Sequence, residues 1–208
     1  MAARGRPRTF DRQDALRKAM EIFWAKGYER TSLSELTEVM GINSPSLYAA
    51  FGSKEELFRA ALALYTETEG GDIWNGVPRA QTAREACAHL LRATAEAFAG
   101  DVKRRGCMIV LSAPQMEGSS ATVCDELKVR RAESTAILRN RLECAVSEGE
   151  IPSSANLDDI TAYFVTVQHG MSIQARDDAS RETLLAIADF AMAGWEKLVF
   201  GGTTPPTA

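Results

Sequence analysis

The chain is poor in the residues from which most active sites and metal centres are built. It has only two histidines, His89 and His169, far apart in the sequence, and four widely spaced cysteines without a CxxC pair. It contains no HExxH motif, no glycine-rich phosphate loop and no serine, histidine and aspartate in a hydrolase order. We therefore expect neither an enzyme nor a protein that holds a metal ion or another cofactor.

Long hydrophobic runs are also missing. No apolar stretch approaches the roughly 20 residues that a membrane helix needs. The N-terminus is an arginine-containing arm with no hydrophobic segment behind it, and the cysteine usage fits a reducing compartment. We expect a soluble cytoplasmic protein that does not associate with membranes.

Charge is distributed unevenly along the 208 residues, whose net charge is −4. The first 65 residues carry ten Lys or Arg against eight Asp or Glu, and the remainder carries a net −6. This balance argues against a protein that coats nucleic acid nonspecifically. A mildly basic front on an acidic body is instead typical of a protein in which only the front contacts phosphates.

Residues 32–58 predict two short helices separated by a glycine turn. Ser32 and Glu35 have the spacing of a capping box at the start of the first helix, which ends at Gly41. Either Asn43 or Ser44 can cap the second helix, and a proline in its first turn is harmless. This is the layout of a helix-turn-helix, although helix-glycine-helix turns also occur in many enzymes.

The second helix, about residues 44–51, is too short and too lightly apolar to be stable alone. Its apolar side contains Leu47 and Phe51. Small side chains on the outer side would let the helix enter a DNA major groove, and Lys54, at the start of the next helix, is well placed for a phosphate. The outer side consists of Ser44, Ser46, Tyr48 and Ala49.

The segment before this motif favours a complete DNA-binding unit. A helix capped near Asp11 and ended by Gly27 presents an apolar face of Leu16, Ala19, Met20 and Phe23. Before it, Arg4, Arg6 and Arg8 form a basic arm that can follow phosphates or enter a minor groove. A solvated, disordered terminus explains the same composition equally well.

The rest of the chain is also helical in pattern, which makes the protein all-α. Glycine-rich punctuation near residues 70–78 places a domain border after the fourth helix. We predict a DNA-binding domain over residues 1–65, a helical body over residues 66–200 and a disordered tail over residues 201–208. Within the body, helical spacing predicts helices over residues 82–99, 107–113, 120–148, 157–176 and 180–200.

The last two helices are apolar around most of their circumference. Such helices are buried on both sides, and in a small chain the second side can be a partner subunit. We predict a homodimer through residues 157–176 and 180–200. A wholly internal core is the alternative.

The arm, the capped helices and the run GINSPSLYAAFGSKEELF resemble the TetR/AcrR family of transcriptional repressors over about residues 6–65. The resemblance implies an all-helical homodimer that binds a palindromic operator and releases it when a small ligand enters the body. It implies that Thr31 and Ser32 contact phosphate and that Lys54 clamps the backbone. It also implies a groove-facing set of Ser44, Pro45, Ser46, Tyr48 and Ala49.

Two departures from the family pattern lie in the recognition helix. Ala49 and Ala50 stand where histidines are frequent, and Ser44 and Pro45 stand where lysine and glycine are frequent. These changes remove hydrogen-bond donors. Direct base readout by this helix should therefore be weak.

A ligand pocket is expected among soft, adaptable side chains with one amide, which suit a mostly apolar molecule. Plain core packing is the alternative for every one of these residues. The candidates are Phe98, Cys107, Met108, Met116, Gln168 and Met171.

The cysteines are compatible with two other functions. A metal site built from Cys87, His89 and Cys107 lacks a fourth ligand and a tight spacing. A redox sensor is better supported than a metal site, because Cys107 follows a Lys-Arg-Arg run over residues 103–105, and positive charge lowers the pKa of a thiol. Activation instead of repression also remains open, since the same DNA-binding domain serves either.

Overall fold

The computed structural model describes residues 10–100, 106–112 and 120–201, and every regular element in these ranges is a helix. The all-α prediction is confirmed. Arg6 of the predicted arm, the basic run over residues 103–105, the pocket candidate Met116 and the predicted tail beyond residue 201 lie outside the described residues. Within the described ranges, no helix has both the length and the apolarity needed to cross a bilayer.

The chain divides into two compact units, Met1–Tyr65 and Thr66–Ala208, called unit 1 and unit 2 below. Unit 1 contains three complete helices and most of a fourth, whose last residues extend past the border. These helices are α1 (Arg12–Lys26), α2 (Leu33–Met40), α3 (Ser44–Phe51) and α4 (Lys54–Thr68).

Aromatic side chains hold α1 against α4 in unit 1. The ring of Phe23 meets Phe58 edge-on at a centroid distance of 5.0 Å, and Trp24 meets Tyr65 in the same way at 4.9 Å. Edge-to-face pairs contribute about 0.5–1.5 kcal/mol beyond the area they bury. The predicted apolar face of α1 was incomplete, because Ala15 and Trp24 are also buried and Leu16 is only half-buried.

Unit 2 consists of seven α-helices and one 3-10 helix within its described residues. The region after α4, which its glycines and proline predicted to be a turn, contains two short helices. The elements are α5 (Gly71–Asn75), a 3-10 helix (Val77–Arg79), α6 (Ala83–Gly100), α7 (Met108–Leu111), α8 (Ala121–Ser147), α9 (Leu157–Arg176), α10 (Arg181–Ala193) and α11 (Trp195–Phe200).

The predicted last helix is two helices. The break falls at Gly194, whose N–H donates to the Ala191 carbonyl three residues back, at 3.3 Å, as in a tight turn. Glycine loses more backbone freedom than any other residue when it enters a helix, so a helix is most easily interrupted there.

Helix α6 lies in the middle of unit 2 and packs against α9 and α10. Leu90 and Leu91 on α6 and Phe164 on α9 are completely buried. Alanines at positions 188 and 191 are buried on α10, which permits the close helix approach predicted from the sequence. The core of this unit is therefore continuous across its longest helices.

Arg141 connects the end of α8 to the start of α6. It is only 7% exposed. Its guanidinium donates to the carbonyls of Ala80 at 3.3 Å and Gln81 at 2.8 Å, and it lies 3.7 Å from Glu150. Glu150 in turn accepts the N–H of Ala83 at 2.7 Å, which caps α6. The buried guanidinium of Arg141 thus donates to the loop before α6 and lies beside the carboxylate that caps this helix.

We expect Arg141→Met to lower the free energy of unfolding by about 2–3 kcal/mol, because the carbonyls of Ala80 and Gln81 lose a charged donor that is itself buried. The matched control is Arg139→Met on the same helix, whose partners Asp158 and Glu143 are 82% and 56% exposed. That change should cost less than about 1 kcal/mol. Urea unfolding of both variants measures the difference, and equal losses would contradict the connecting role of Arg141.

Candidate nucleic-acid interface

A capping box begins α2, as its sequence predicts. Ser32 Oγ accepts the Glu35 N–H at 3.2 Å, and the Glu35 carboxylate accepts the Ser32 N–H at 2.8 Å. Lys26, at the end of α1, also pairs with Glu35. The hydrogen bond from Lys26, followed by the bonds from Ser32, lowers the pKa of Glu35 to about 2. This one carboxylate therefore links α1 to the start of α2.

The turn between α2 and α3 is set by Gly41. Its φ of 69° and ψ of 30° are left-handed, a conformation that glycine adopts without steric cost. The sequence left either Asn43 or Ser44 as the cap of α3. The structure resolves this choice, because the side chain of Asn43 accepts the Ser46 N–H at 2.9 Å.

The two sides of α3 separate as predicted. Leu47 and Phe51 are 0% and 6% exposed and pack into unit 1, whereas Tyr48 is 48% exposed. The other predicted groove residues share the outer side with Tyr48: Ser44, Pro45 and Ala49 are exposed and Ser46 is partly exposed. The helix thus presents one continuous surface of small side chains around a single tyrosine.

Arg12 supports α3 in a way that sequence reasoning missed. Its Nε donates to the Ala50 carbonyl at 3.4 Å, and its guanidinium carbon lies 4.7 Å from the centre of the Phe51 ring. A cation at the C-terminal end of a helix also interacts favourably with the helix dipole. Arg12 and Ala50 are 38 positions apart, so no local pattern indicates this contact.

Lys54 is the first residue of α4, and its ammonium lies 4.2 Å from the centre of the Tyr28 ring. Burial lowers the pKa of this lysine. Tyr28 itself packs on Phe58 at 5.1 Å, so the ammonium is anchored to the aromatic core of unit 1. A phosphate contact by Lys54 stays a prediction.

The family resemblance implied a phosphate contact for Thr31. The residue is 0% exposed, and its hydroxyl donates to the Gly27 carbonyl at 2.7 Å. Its side chain is thus engaged at the end of α1, and a phosphate contact by Thr31 stays a prediction. Ser32, one residue later, is exposed, although its hydroxyl already caps α2.

The predicted ligand residues of unit 2 lie on α6, at the start of α7 and on α9. Phe98, Met108, Gln168 and Met171 are almost completely buried, and Cys107 is half-buried. Phe98 and Met171 belong to the same hydrophobic cluster, against which Cys107 packs. Their role in ligand binding stays a prediction.

A separate cleft of about 430 Å³ lies between α9 and α11, lined in part by Ile160, Tyr163 and Leu198. None of the predicted ligand residues lines it.

The cysteines and histidines do not form a metal centre within the described ranges, where no group of three potential ligands occurs. Cys87 is fully buried, and burial raises the pKa of its thiol. The His89 ring nitrogen lies 3.4 Å from the Asp72 carbonyl. Both residues therefore have ordinary structural environments.

We expect the free energy of unfolding to decrease as the pH is lowered, and part of this decrease to depend on Glu35. Because the pKa of this carboxyl is lowered on folding, its contribution is complete above the unfolded value near 4.5 and is lost as the pH falls towards about 2. Urea unfolding between pH 6 and pH 3 measures this slope. The Glu35→Gln variant should be less stable than the wild type at pH 6, and its free energy of unfolding should decrease less as the pH is lowered. If the variant shows the same dependence on pH as the wild type, the lowered pKa of Glu35 is contradicted.

Comparison with known proteins relates both units to regulators. The pattern of the bacterial regulatory proteins of the tetR family matches residues 15–61. The HTH-type transcriptional repressor ComR of Escherichia coli K12 is 36% identical over 203 residues, which cover 95% of this chain and 94% of ComR. The repressor BdcR of the same organism is 29% identical over 202 residues, covering 91% and 90% of the two chains.

One solved structure is similar over almost the whole chain. It is a cysteine mutant of the TetR family transcriptional regulator CifR, complexed with a 26-base-pair double-strand operator DNA. The TM-score is 0.83 at 42% sequence identity, and the match covers 92% of this chain and 100% of the CifR chain.

Proposed function

The chain belongs to the TetR family of bacterial regulatory proteins, and from this premise we propose that it represses transcription by binding an operator and leaves it when a small molecule binds unit 2. The observation that carries the proposal is the outer face of α3, where Tyr48 is 48% exposed among small residues on a helix that is capped and anchored on its other side. The repressors ComR and BdcR and the operator complex of CifR support this choice.

In the proposed complex, α3 enters the major groove. Ser44, Pro45, Ser46, Tyr48 and Ala49 contact the bases and their adjoining phosphates. Small side chains allow the backbone N–H groups at the helix start to approach phosphate oxygens, which favour the positive end of a helix dipole. Further phosphate contacts come from Thr31, Ser32, Lys54 and Arg6 of the arm.

TetR proteins are dimeric, and the exposed apolar residues of unit 2 fit such an assembly. Phe190 on α10 is 78% exposed, and Ile173 and Tyr163 on α9 are 47% and 36% exposed. We propose that residues 157–176 and 180–200 of two copies pack together and cover these side chains. A two-fold dimer then presents two α3 helices to a palindromic operator, with half-sites about one DNA turn apart.

The ligand proposed for unit 2 is mostly apolar and contacts Phe98, Cys107, Met108, Met116, Gln168 and Met171. Release of DNA requires only that the ligand bind the DNA-incompetent state more tightly, with a typical coupling of about 1–3 kcal/mol. The protein works in the cytoplasm in this proposal, where the operator is. Activation instead of repression is the alternative that reporter expression in a deletion strain distinguishes.

Specific operator binding should depend on Tyr48. We expect Tyr48→Ala to weaken operator binding about tenfold or more and to leave folding intact, because the side chain projects into solvent. Fluorescence anisotropy with duplexes from the upstream region of the gene, against a scrambled duplex at several salt concentrations, measures the loss.

The matched control is Val39→Ala on α2, an apolar residue that is 39% exposed and lies outside the predicted groove face. This variant should bind like the wild type. A Tyr48→Ala variant that retains operator affinity, or loses affinity equally for both duplexes, would contradict base readout by α3.

A redox-sensing regulator is the second candidate, and one observation favours it. Cys107 interacts electrostatically with the half-buried Arg131, whose positive charge would stabilise a thiolate. Under this hypothesis, peroxide releases the wild-type protein from its operator but not a Cys107→Ser variant. The same anisotropy assay tests it, with Cys144→Ser at an exposed thiol as the control. Equal responses of all three proteins would exclude Cys107 as a redox sensor.

A further inference from the structure

Two adjacent arginines on α8 have very different surroundings. Arg130 Nε lies 2.9 Å from Glu126, four residues earlier, and its Nη1 lies 3.9 Å from Glu133, three residues later. Side chains three or four positions apart are neighbours on a helix surface. Arg130 is therefore a partly exposed cation with two carboxylate partners on its own helix.

Arg131 has no such partner on α8. Its neighbours three and four positions away are Leu127, Lys128, Ser134 and Thr135, none of which is acidic. Its Nη1 is buried and makes no hydrogen bond within the structure described here. A buried guanidinium N–H without an acceptor is unfavourable in the folded protein.

The groups around Arg131 come from two other helices of unit 2. Helix α7 packs against both α8 and α9. Arg131 interacts electrostatically with Cys107 at the start of α7 and with His169 on α9. One turn after His169, Ser172 accepts the Cys107 N–H through its Oγ at 2.7 Å, which fixes α7 to α9. We call Arg131, Cys107, His169 and Ser172 the Arg131 cluster.

The Arg131 cluster contains polar donors but no carboxylate. Burial lowers the pKa of His169, and the positive charge of Arg131 lowers it further. Both effects favour the neutral imidazole, which keeps one ring N–H that it can donate. Along α9, the residues three and four positions from His169 are also without acidic groups.

Buried apolar side chains adjoin the cluster along the chain. Met108 follows Cys107, Met171 precedes Ser172, and each is only 1% exposed. Methionine adapts to ligands of different shape. The cluster thus contains a guanidinium with one unpaired N–H, and buried methionines are neighbours of two of its members along the chain.

We propose that Arg131 binds the carboxylate of an apolar organic acid, with His169 as a second donor and the acid's hydrocarbon part against Met108 and Met171. A carboxylate supplies two acceptor oxygens in the geometry of the guanidinium fork. The inference rests on the proposed ligand-responsive function and specifies its ligand: the regulatory molecule is an anion and not a neutral apolar compound.

The first test uses the unliganded protein. Arg131→Met removes the buried N–H that lacks an acceptor, so its Tm should equal that of the wild type or rise by about 2–4 °C. Arg130→Met loses two ion pairs and should not be stabilised. If Arg131→Met is instead clearly destabilised relative to Arg130→Met, Arg131 has a structural role and the proposal is overturned.

The second test uses sodium octanoate as the probe and octanamide as its neutral counterpart, with binding to the full-length protein measured by calorimetry at constant ionic strength. We expect octanoate to bind the wild type at least ten times more tightly than octanamide. Arg131→Met should weaken octanoate at least tenfold, Arg131→Lys less, and Arg130→Met within twofold. Absence of octanoate binding, or equal binding to wild type and Arg131→Met, would overturn the anion site.

Operator release separates this inference from the proposed function. If octanoate binds through Arg131 but leaves the operator bound, the anion site stands and its regulatory role fails. If neutral compounds release the operator from wild type and Arg131→Met alike, ligand-responsive regulation stands and the acid-binding site is overturned. Release by octanoate from wild type and Arg130→Met, but not from Arg131→Met, supports both.

Discussion

A helix of eight residues is not stable by itself in water, and the surface that α3 offers to DNA therefore depends on what lies behind it. Leu47 and Phe51 are buried in unit 1, Asn43 satisfies the first turn, and Arg12 satisfies a carbonyl near the last. These contacts use the inner side and both ends of the helix. The residues on the outer side are therefore not needed to hold the helix in place, and they can be selected for DNA recognition.

The sequence predicted the features of this unit that arise from neighbouring residues, because a capping box, a glycine turn and a helical apolar repeat are local patterns. It did not predict contacts between distant positions, such as Arg12 with Ala50 or Arg141 with Ala80, since a lone arginine carries no sign of its partner. The hydrogen bond of the Thr31 hydroxyl to the end of α1 is a further contact that the family resemblance did not indicate.

Arg131 and Arg141 lie on the same helix but have very different hydrogen-bond partners. Arg141 donates to two carbonyls and lies near two glutamates, and it joins the end of α8 to α6. Arg131 retains a buried N–H without an acceptor. The sequence could not distinguish these two arginines, because their difference arises from the loop before α6 and from α7 and α9.

The left-handed turn at Gly41 also bears on how such a regulator can diverge. A Cβ atom added at Gly41 would meet nothing within 4 Å, so the position is restricted by its backbone angles and not by space. Asparagine tolerates these angles better than other residues with side chains. Descendants of this chain can therefore exchange Gly41 for asparagine without repacking, and the angle between α2 and α3 can persist while the residues that read DNA change around it.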